Sequence, residues 1–252
     1  MINLDKRLLT IYNLVGEGQI ADIGSDHGLL PAALLLNKKC KFAYLTDISA
    51  NSLSKAEHLF KENKIGTAVK PVKTNLTGKF PSKIEGCPDR GGVCDELRAV
   101  FLVGDGLSVF DVPIKNCTCV IAGMGGEQII AMLKDNLKRN IFDEFILQPM
   151  KSVVKVRTFL VENGYFIEED IKVLCGSKFY DILKVKRGQG SLTERELIFG
   201  RTNLERVNPD FNKFLSKELK KFENAAKNMK IIDTKVVKYV TLLKELINGP
   251  TP

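Results

Sequence analysis

No uninterrupted apolar stretch of about eighteen residues occurs, so no membrane-spanning helix is expected. Six cysteines are present, but none are paired at CxxC spacing, which removes the zinc-knuckle pattern. Cys87 and Cys94 flank a glycine-rich loop, Cys117 and Cys119 stand two apart, and all read as free thiols. Histidine is scarce, with only His27 and His58, and no metal site is expected. The opening residues MINLDKR lack the charged, apolar and small-residue order of a secretion signal, so a cytosolic protein is expected. A strong excess of one charge is also missing: 38 Lys and Arg face 30 Asp and Glu, a net +8. That is a mild pull toward polyanions, and it is uneven. Residues 191–252 hold half of it in a quarter of the chain. The hydrophobic fraction of 44% and charged fraction of 27% are ordinary for a globular chain of 252 residues, which excludes disorder as the main state. The length suits one large domain with a small appendage.

Strand and helix patterns alternate over the first 165 residues. Leu8, Ile11, Tyr12 and Val15 recur at helical spacing. Residues 19–23 and 42–46 read as short buried strands, each followed by a helix, with Pro31 suited to the first turn of one and Ser49 to the cap of the other. Further strands are expected at 97–103, 117–122 and 145–148, with helices at 127–138 and 152–163. Residues 165–174 and 179–185 alternate around Gly176-Ser177, an antiparallel hairpin at the sheet edge. The spacing predicts an α/β fold, a Rossmann-like doubly wound and mostly parallel sheet. Residues 74–96 interrupt the rhythm as an insertion.

From Ser191 the pattern is helical only, and the domains divide as 1–188 and 191–252, with the boundary near Gly188-Gln189-Gly190. Thr193 and Glu196 form a capping box, and Asn208-Pro209 starts a helix with Phe211, Leu215, Phe222, Ala225 and Met229 on one stripe. Asp233-Thr234 starts the last helix, with Val236, Val240, Leu243 and Ile247 on one face. Together they predict a small all-α helical hairpin.

The turn after the first strand is Asp22-Ile23-Gly24-Ser25-Asp26-His27-Gly28. A dinucleotide turn reads G-x-G-x-x-G, whose middle glycine lets backbone approach a pyrophosphate. Asp26 stands in that place, and its carboxylate repels an anion and suits a cationic ligand. S-adenosylmethionine, a sulfonium with an ammonium and no phosphate, fits. Asp22 is placed to accept from the ammonium, and Gly24 lets backbone come close. Asp47 ends the second strand, followed by Ile48, where an acid takes two ribose hydroxyls. Asp105, in Val103-Gly104-Asp105-Gly106, is placed for the adenine amino group, with Gly106 leaving room for the ring. The cofactor-binding set is thus Asp22, Gly24, Ser25, Asp26, His27, Gly28, Asp47, Ile48, Asp105, Gly106, Ala122 and Gly123. After the fourth strand comes Ile121-Ala122-Gly123-Met124-Gly125-Gly126, not the Asn/Asp-Pro-Pro-aromatic segment of amino-group methyltransferases.

These blocks resemble the bacterial tRNA (adenine(22)-N(1))-methyltransferase family, TrmK. The resemblance runs over residues 4–188 through LDKRLLTIYNLV, ADIGSDHGLLP, the Asp47 strand end, VGDGL, VIAGMGG, FILQP, the segment Arg157-Thr158-Phe159-Leu160 and KFYDILKVKRG. The tail resembles the family's helical C-terminal domain. Two departures stand out: Met150 replaces the family's usual asparagine, and Asn51-Ser52 replaces its Gly-Pro. The resemblance implies methyl transfer from S-adenosylmethionine to N1 of a D-loop adenine in tRNA.

N1 of adenine is a neutral nucleophile with an in-plane lone pair, so the transfer needs positioning more than a base. Asp26, His27, Gly123 and Met124 are the expected catalytic group, with Asp26 set to stabilise the cation. Arg7, Gln148, Pro149, Arg157 and Tyr180 are expected at the substrate. Lys6, Arg7, Arg157 and the basic tail are expected to meet phosphates. His58 is expected to be structural. The partner is tRNA, without membrane or metal, and a monomer is favoured. The competing readings are a methyltransferase of another RNA or a small metabolite, and a non-catalytic RNA-binding protein that retains S-adenosylmethionine.

Overall fold

The computed structural model describes residues 2–73, 98–227 and 234–248. Its centre is an eight-stranded sheet, formed by β1 (Gln19–Ile23), β2 (Phe42–Asp47), β3 (Thr67–Lys73), β4 (Ala99–Val103), β5 (Cys117–Met124), β6 (Glu144–Pro149), β7 (Tyr165–Cys175) and β8 (Lys178–Arg187). The spatial order is β3-β4-β2-β1-β5-β6-β8-β7. The first six strands in that row run parallel, and β8 pairs antiparallel with both β6 and β7. The strand order reverses beside β1, which pairs with β2 on one side and β5 on the other. A ligand crevice opens at such a point, beyond the carboxyl ends of the strands.

Helices cover both faces. α1 (Lys6–Leu14), α2 (Leu29–Leu36) and α3 (Ala50–Glu62) bury Ile11, Leu34, Leu53 and Phe60 against one face. α4 (Gly126–Arg139) and α5 (Val153–Glu162) bury Ile129, Leu133, Val156 and Leu160 against the other. α2 is apolar almost all round, and six of its residues are buried, as expected of a helix enclosed on every side. Edge-to-face rings run under the second face from Tyr44 through Phe110, Phe142 and Phe145 to Tyr165, with centroids 5.1–6.1 Å apart. The hairpin turn falls at Gly176-Ser177, with Cys175 opposite Lys178.

β3 is the strand that the sequence pattern did not predict. Its run Thr-Ala-Val-Lys-Pro-Val-Lys carries Pro71, which has no N–H for a ladder, and proline in a strand belongs at an edge. β3 is accordingly the outermost strand, with a register shift between Ala68 and Val72. The expected insertion at 74–96, with Cys87 and Cys94, lies outside the described residues, as do Met229 and Asp233.

Beyond the sheet come α6 (Glu194–Phe199), α7 (Arg201–Glu205), α8 (Pro209–Lys227) and α9 (Thr234–Asn248). The Thr193–Glu196 capping box starts α6. Phe199, Phe211, Leu215 and Leu243 form a separate small core. Ile247, expected on its apolar face, is exposed instead; Tyr239, Leu242 and Leu246 pack there.

These helices close the open edge of β7. A free strand edge offers a row of N–H groups to any other strand. Here Asp170, Lys172 and Leu174 donate their N–H groups to Thr202 Oγ1 (3.0 Å), Asn203 Oδ1 (2.8 Å) and Asp210 Oδ2 (2.9 Å). Arg157 corrects an expectation. Its side chain is 0% exposed, so it meets no phosphate. Its guanidinium forks onto both oxygens of Asp170 at 2.7 and 2.8 Å, reaches Asp181 at 2.9 Å, and donates to the carbonyls of Leu197 and Ile198. Lys172 adds a second cation on Asp181 at 2.7 Å. Burial alone would raise the Asp181 carboxyl, but Lys172 and Arg157 outweigh it and hold it below its usual range. Among the described residues, no helix is long and apolar enough to cross a membrane.

Candidate active site

The turn after β1 folds back on β2, where the N–H groups of Gly24 and Ser25 both reach the Thr46 carbonyl at 2.8 Å. Ser25 is buried and donates its hydroxyl to Asp22 Oδ2 at 2.6 Å. Burial pushes the Asp22 carboxyl up to about 6, against the Ser25 hydrogen bond and the charge of Arg7. Asp47 accepts from the Ser49 N–H at 2.7 Å. Asp105 is exposed at the N-cap of a short 3-10 helix, Gly106–Val109, yet its side chain makes no capping bond. An acid at a strand end is often explained as a cap. That explanation fails for Asp105.

A cleft of about 210 Å³ opens at these strand ends. Gly24, Asp47, Ile48, Asp105, Gly106 and Met124 all line it. Thr46, Gln128 and Met132 also line it, and sequence reasoning missed them. Thr46 hides inside a strand run, and the two α4 residues are four apart on one helix face, a signal that carries meaning only once α4 is placed. The Thr46 hydroxyl is buried and has no hydrogen-bond partner among the described residues. A Cβ on Gly24 would lie 2.5 Å from the Met124 methyl group, so this glycine leaves room for Met124 over the turn.

Asp26 and His27 sit apart from that cleft. They are 58% and 57% exposed, 3.3 Å from each other, and Asp26 is 3.2 Å from Lys55 of α3. The Lys55 hydrogen bond holds the Asp26 carboxyl below its usual range, so it stays charged. His27 borders a larger, shallower groove of about 480 Å³ with Lys55, His58 and Glu62. That groove runs over helix surface; the smaller cleft has the strand ends and close backbone that a cofactor needs. His58 pairs with Glu62 at 3.2 Å. Gly28, expected at the cofactor, is buried where α2 meets α3; a Cβ there would lie 2.8 Å from the Ala56 side chain.

β5 leaves register with β6 between Ala122 and Met124, a bulge that lifts Gly123 out of the ladder. Gly123 is exposed at φ +77°, and a Cβ on it would meet nothing within 4 Å. Its N–H donates to Gln148 Oε1 at 3.1 Å, and Arg7 Nη1 donates to the same oxygen at 2.8 Å. The Arg7 guanidinium lies 5.7 Å from the centroid of Tyr180. The structure thus gathers Arg7, Gln148 and Tyr180 beside the glycine loop. Gln148 is 0% exposed and Pro149 is buried, which corrects the expectation that they touch substrate directly. Lys6 is paired with Asp210 of α8 at 2.5 Å. Burial raises the thiols of Cys40, to about 11, and of Cys117 and Cys119 higher still, so these cysteines are unreactive packing residues.

A doubly wound sheet with acids at three successive strand ends, and no phosphate-binding glycine turn, defines a Rossmann-like methyltransferase. Residues 4–77 match a general methyltransferase domain, and residues 97–248 match the TrmK family, tRNA (adenine(22)-N(1))-methyltransferase. The chain belongs to this family. The tRNA (adenine(22)-N(1))-methyltransferase of Bacillus subtilis is 26% identical over 191 residues, 74% of this chain and 66% of that protein. Two solved structures share the fold. Sp1610 of Streptococcus pneumoniae, in complex with S-adenosyl-L-methionine, has a TM-score of 0.76 at 24% identity over 98% of this chain and 100% of that one. TrmK of M. capricolum, in complex with S-adenosyl-homocysteine, has a TM-score of 0.72 at 19% identity over 97% and 98%.

Proposed function

We propose that the cleft at the ends of β1, β2 and β4 holds S-adenosylmethionine, and that the face of Gly123 receives adenine 22 of a tRNA for methylation at N1. The single observation that carries this is the convergence of Asp47 and Asp105 on one cleft, with Asp22 one residue before the lining residue Ile23 and near enough to Asp47 for their charges to interact. The residues fit the group. Carboxylates suit its cationic and hydroxyl-bearing parts, and the orphaned Thr46 hydroxyl offers one more polar partner. When bound, the cofactor supplies an activated methyl group. Solved relatives from S. pneumoniae and M. capricolum bind it or its demethylated product.

The chain's own part is placement. Asp22 faces the ammonium, Asp47 the ribose and Asp105 the adenine amino group. Gly123 has open space where any side chain would stand, so a planar base can come up against backbone. N1 carries its own lone pair, so no base takes a proton before transfer. The target adenine leaves its stack to reach this site. The helices after Ser191, with half of the net charge, dock the tRNA.

Methyl transfer from labelled cofactor to unmodified tRNA, with nucleosides resolved by mass spectrometry, tests this. N1-methyladenosine and one reverse-transcription stop in the D-loop are expected. N6-methyladenosine alone, a methylated guanosine, or no methylated tRNA overturns it.

A further inference from the structure

Gln148 stands on β6, fully buried, and its carboxamide oxygen takes two donors, the Gly123 N–H and the Arg7 guanidinium. A guanidinium has donors only, so Arg7 decides which end of the carboxamide faces the glycine loop. With the oxygen turned that way, the N–H of Gly123 is pinned. Gly123 has no side chain to anchor it and sits in a bulge at positive φ. Arg7 is itself held: Asp5 caps its helix by accepting from Leu8, Lys6 is tied to Asp210, and Tyr180 lies against the guanidinium.

We propose that Arg7 and Gln148 are positioning residues that fix the Gly123 backbone, and through it the plane in which the target base lies, without touching the base or a phosphate. This rests on the proposed function for what the position achieves, and on geometry alone for the pinning. The Arg7 guanidinium is thereby spent on Gln148 and Tyr180 rather than on RNA. A carboxylate in place of the Gln148 amide keeps both acceptor roles and gains a charge toward Arg7.

The test uses the full chain with Arg7→Ala, Gln148→Leu, Gln148→Glu and the double variant Arg7→Ala/Gln148→Leu. Three readouts apply: kcat and KM on tRNA, cofactor affinity by calorimetry, and hydrogen exchange of the Gly123 amide. Arg7→Ala and Gln148→Leu are each expected to lower kcat by about 10–100-fold, the scale of a misplacement near 1 Å. KM for tRNA and cofactor affinity stay within about twofold, and Gly123 exchanges faster. Gln148→Glu recovers most of the loss, and the double variant is no worse than the worse single one, because the two act as a unit. An Arg7→Ala variant with unchanged kcat, raised KM and a flatter salt dependence makes Arg7 a phosphate contact and overturns the proposal. Unchanged Gly123 exchange overturns it as well. If the wild-type chain does not methylate tRNA, the functional reading fails, and the exchange measurement still decides the pinning. If Gln148→Leu does not fold, Arg7→Ala, whose side chain is partly exposed, carries the same outcomes.

Discussion

Two carboxylate settings among the described residues are built in opposite ways. On the β7–β8 hairpin, Arg157 and Lys172 face Asp170 and Asp181, and every bond of the guanidinium ends on a carboxylate or a carbonyl. At the end of β1, Asp22 has the Ser25 hydroxyl and only the more distant charge of Arg7. Burial wins there, and the carboxyl rises to about 6. The matched set is complete without a ligand and serves architecture. The unmatched carboxylate is costly in its charged form, which makes Asp22 a candidate partner for a cation.

The largest effect should come from breaking the matched set. Arg157→Ala leaves two buried carboxylates with one cation between them, and a loss of about 3–5 kcal/mol in urea unfolding is expected. Arg157→Lys should recover little, since an ammonium cannot fork onto both oxygens of Asp170. A loss below about 1 kcal/mol would break the comparison. The same reasoning bears on truncation. A chain ending at Gly190 loses the Leu197 and Ile198 carbonyls and the three side chains that close β7, so it should aggregate instead of surviving as a free methyltransferase domain.

Turnover should respond next. Gly123→Val places a branched side chain where the structure leaves open space, at a φ that β-branched residues avoid. A fall in kcat of about 100-fold is expected, with cofactor affinity changed less. Equal losses in both would place Gly123 at the cofactor instead of at the base.

The two regions also differ in how far the sequence reveals them. The cleft can be read from strand spacing: Gly24 directly follows β1, Asp47 ends β2 and Asp105 comes two residues after β4. The β7 closure is not. Thr202, Asn203 and Asp210 look like ordinary helix polar residues, and only the hairpin's path past the helices shows what they hold. Arg157 reads as a surface cation because nothing in its neighbours marks burial; its partners are 13 and 24 residues away. Gln148 lies in an apolar strand, which predicts burial but not that its oxygen would meet Gly123 and Arg7. β3 was missed because Pro71 interrupts its pattern.

Removing Asp47, the proposed ribose acid, sharpens the binding side. Asp47→Ala should weaken S-adenosylmethionine by about 1–3 kcal/mol in calorimetry, the scale of hydrogen bonds to a charged group. An unchanged affinity would move the cofactor away from the β2 end.

The smallest effect is a pH dependence, and its sign separates the two regions. Asp22 has a folded value of about 6 against an ordinary 3.8. Between those values the folded protein holds more protons than the unfolded one, so Asp22's contribution to stability without ligand falls as pH rises through about 6. Ligand binding runs the other way, because the ammonium needs the carboxylate. Cofactor affinity should hold above pH 6 and fall toward tenfold per unit below it, and Asp22→Asn should flatten that profile while lowering affinity at pH 7.5. Asp181 has the opposite shift, held below its ordinary range by Lys172 and Arg157. Its contribution to stability is full above about 4 and is lost only as pH falls through its lowered value. Stability of an Arg157→Ala chain should therefore suffer most at neutral pH and recover relative to wild type in acid, where the stranded carboxylates take up protons. A cofactor affinity flat from pH 5 to 8 in the wild-type chain would mean that Asp22 does not face the ammonium.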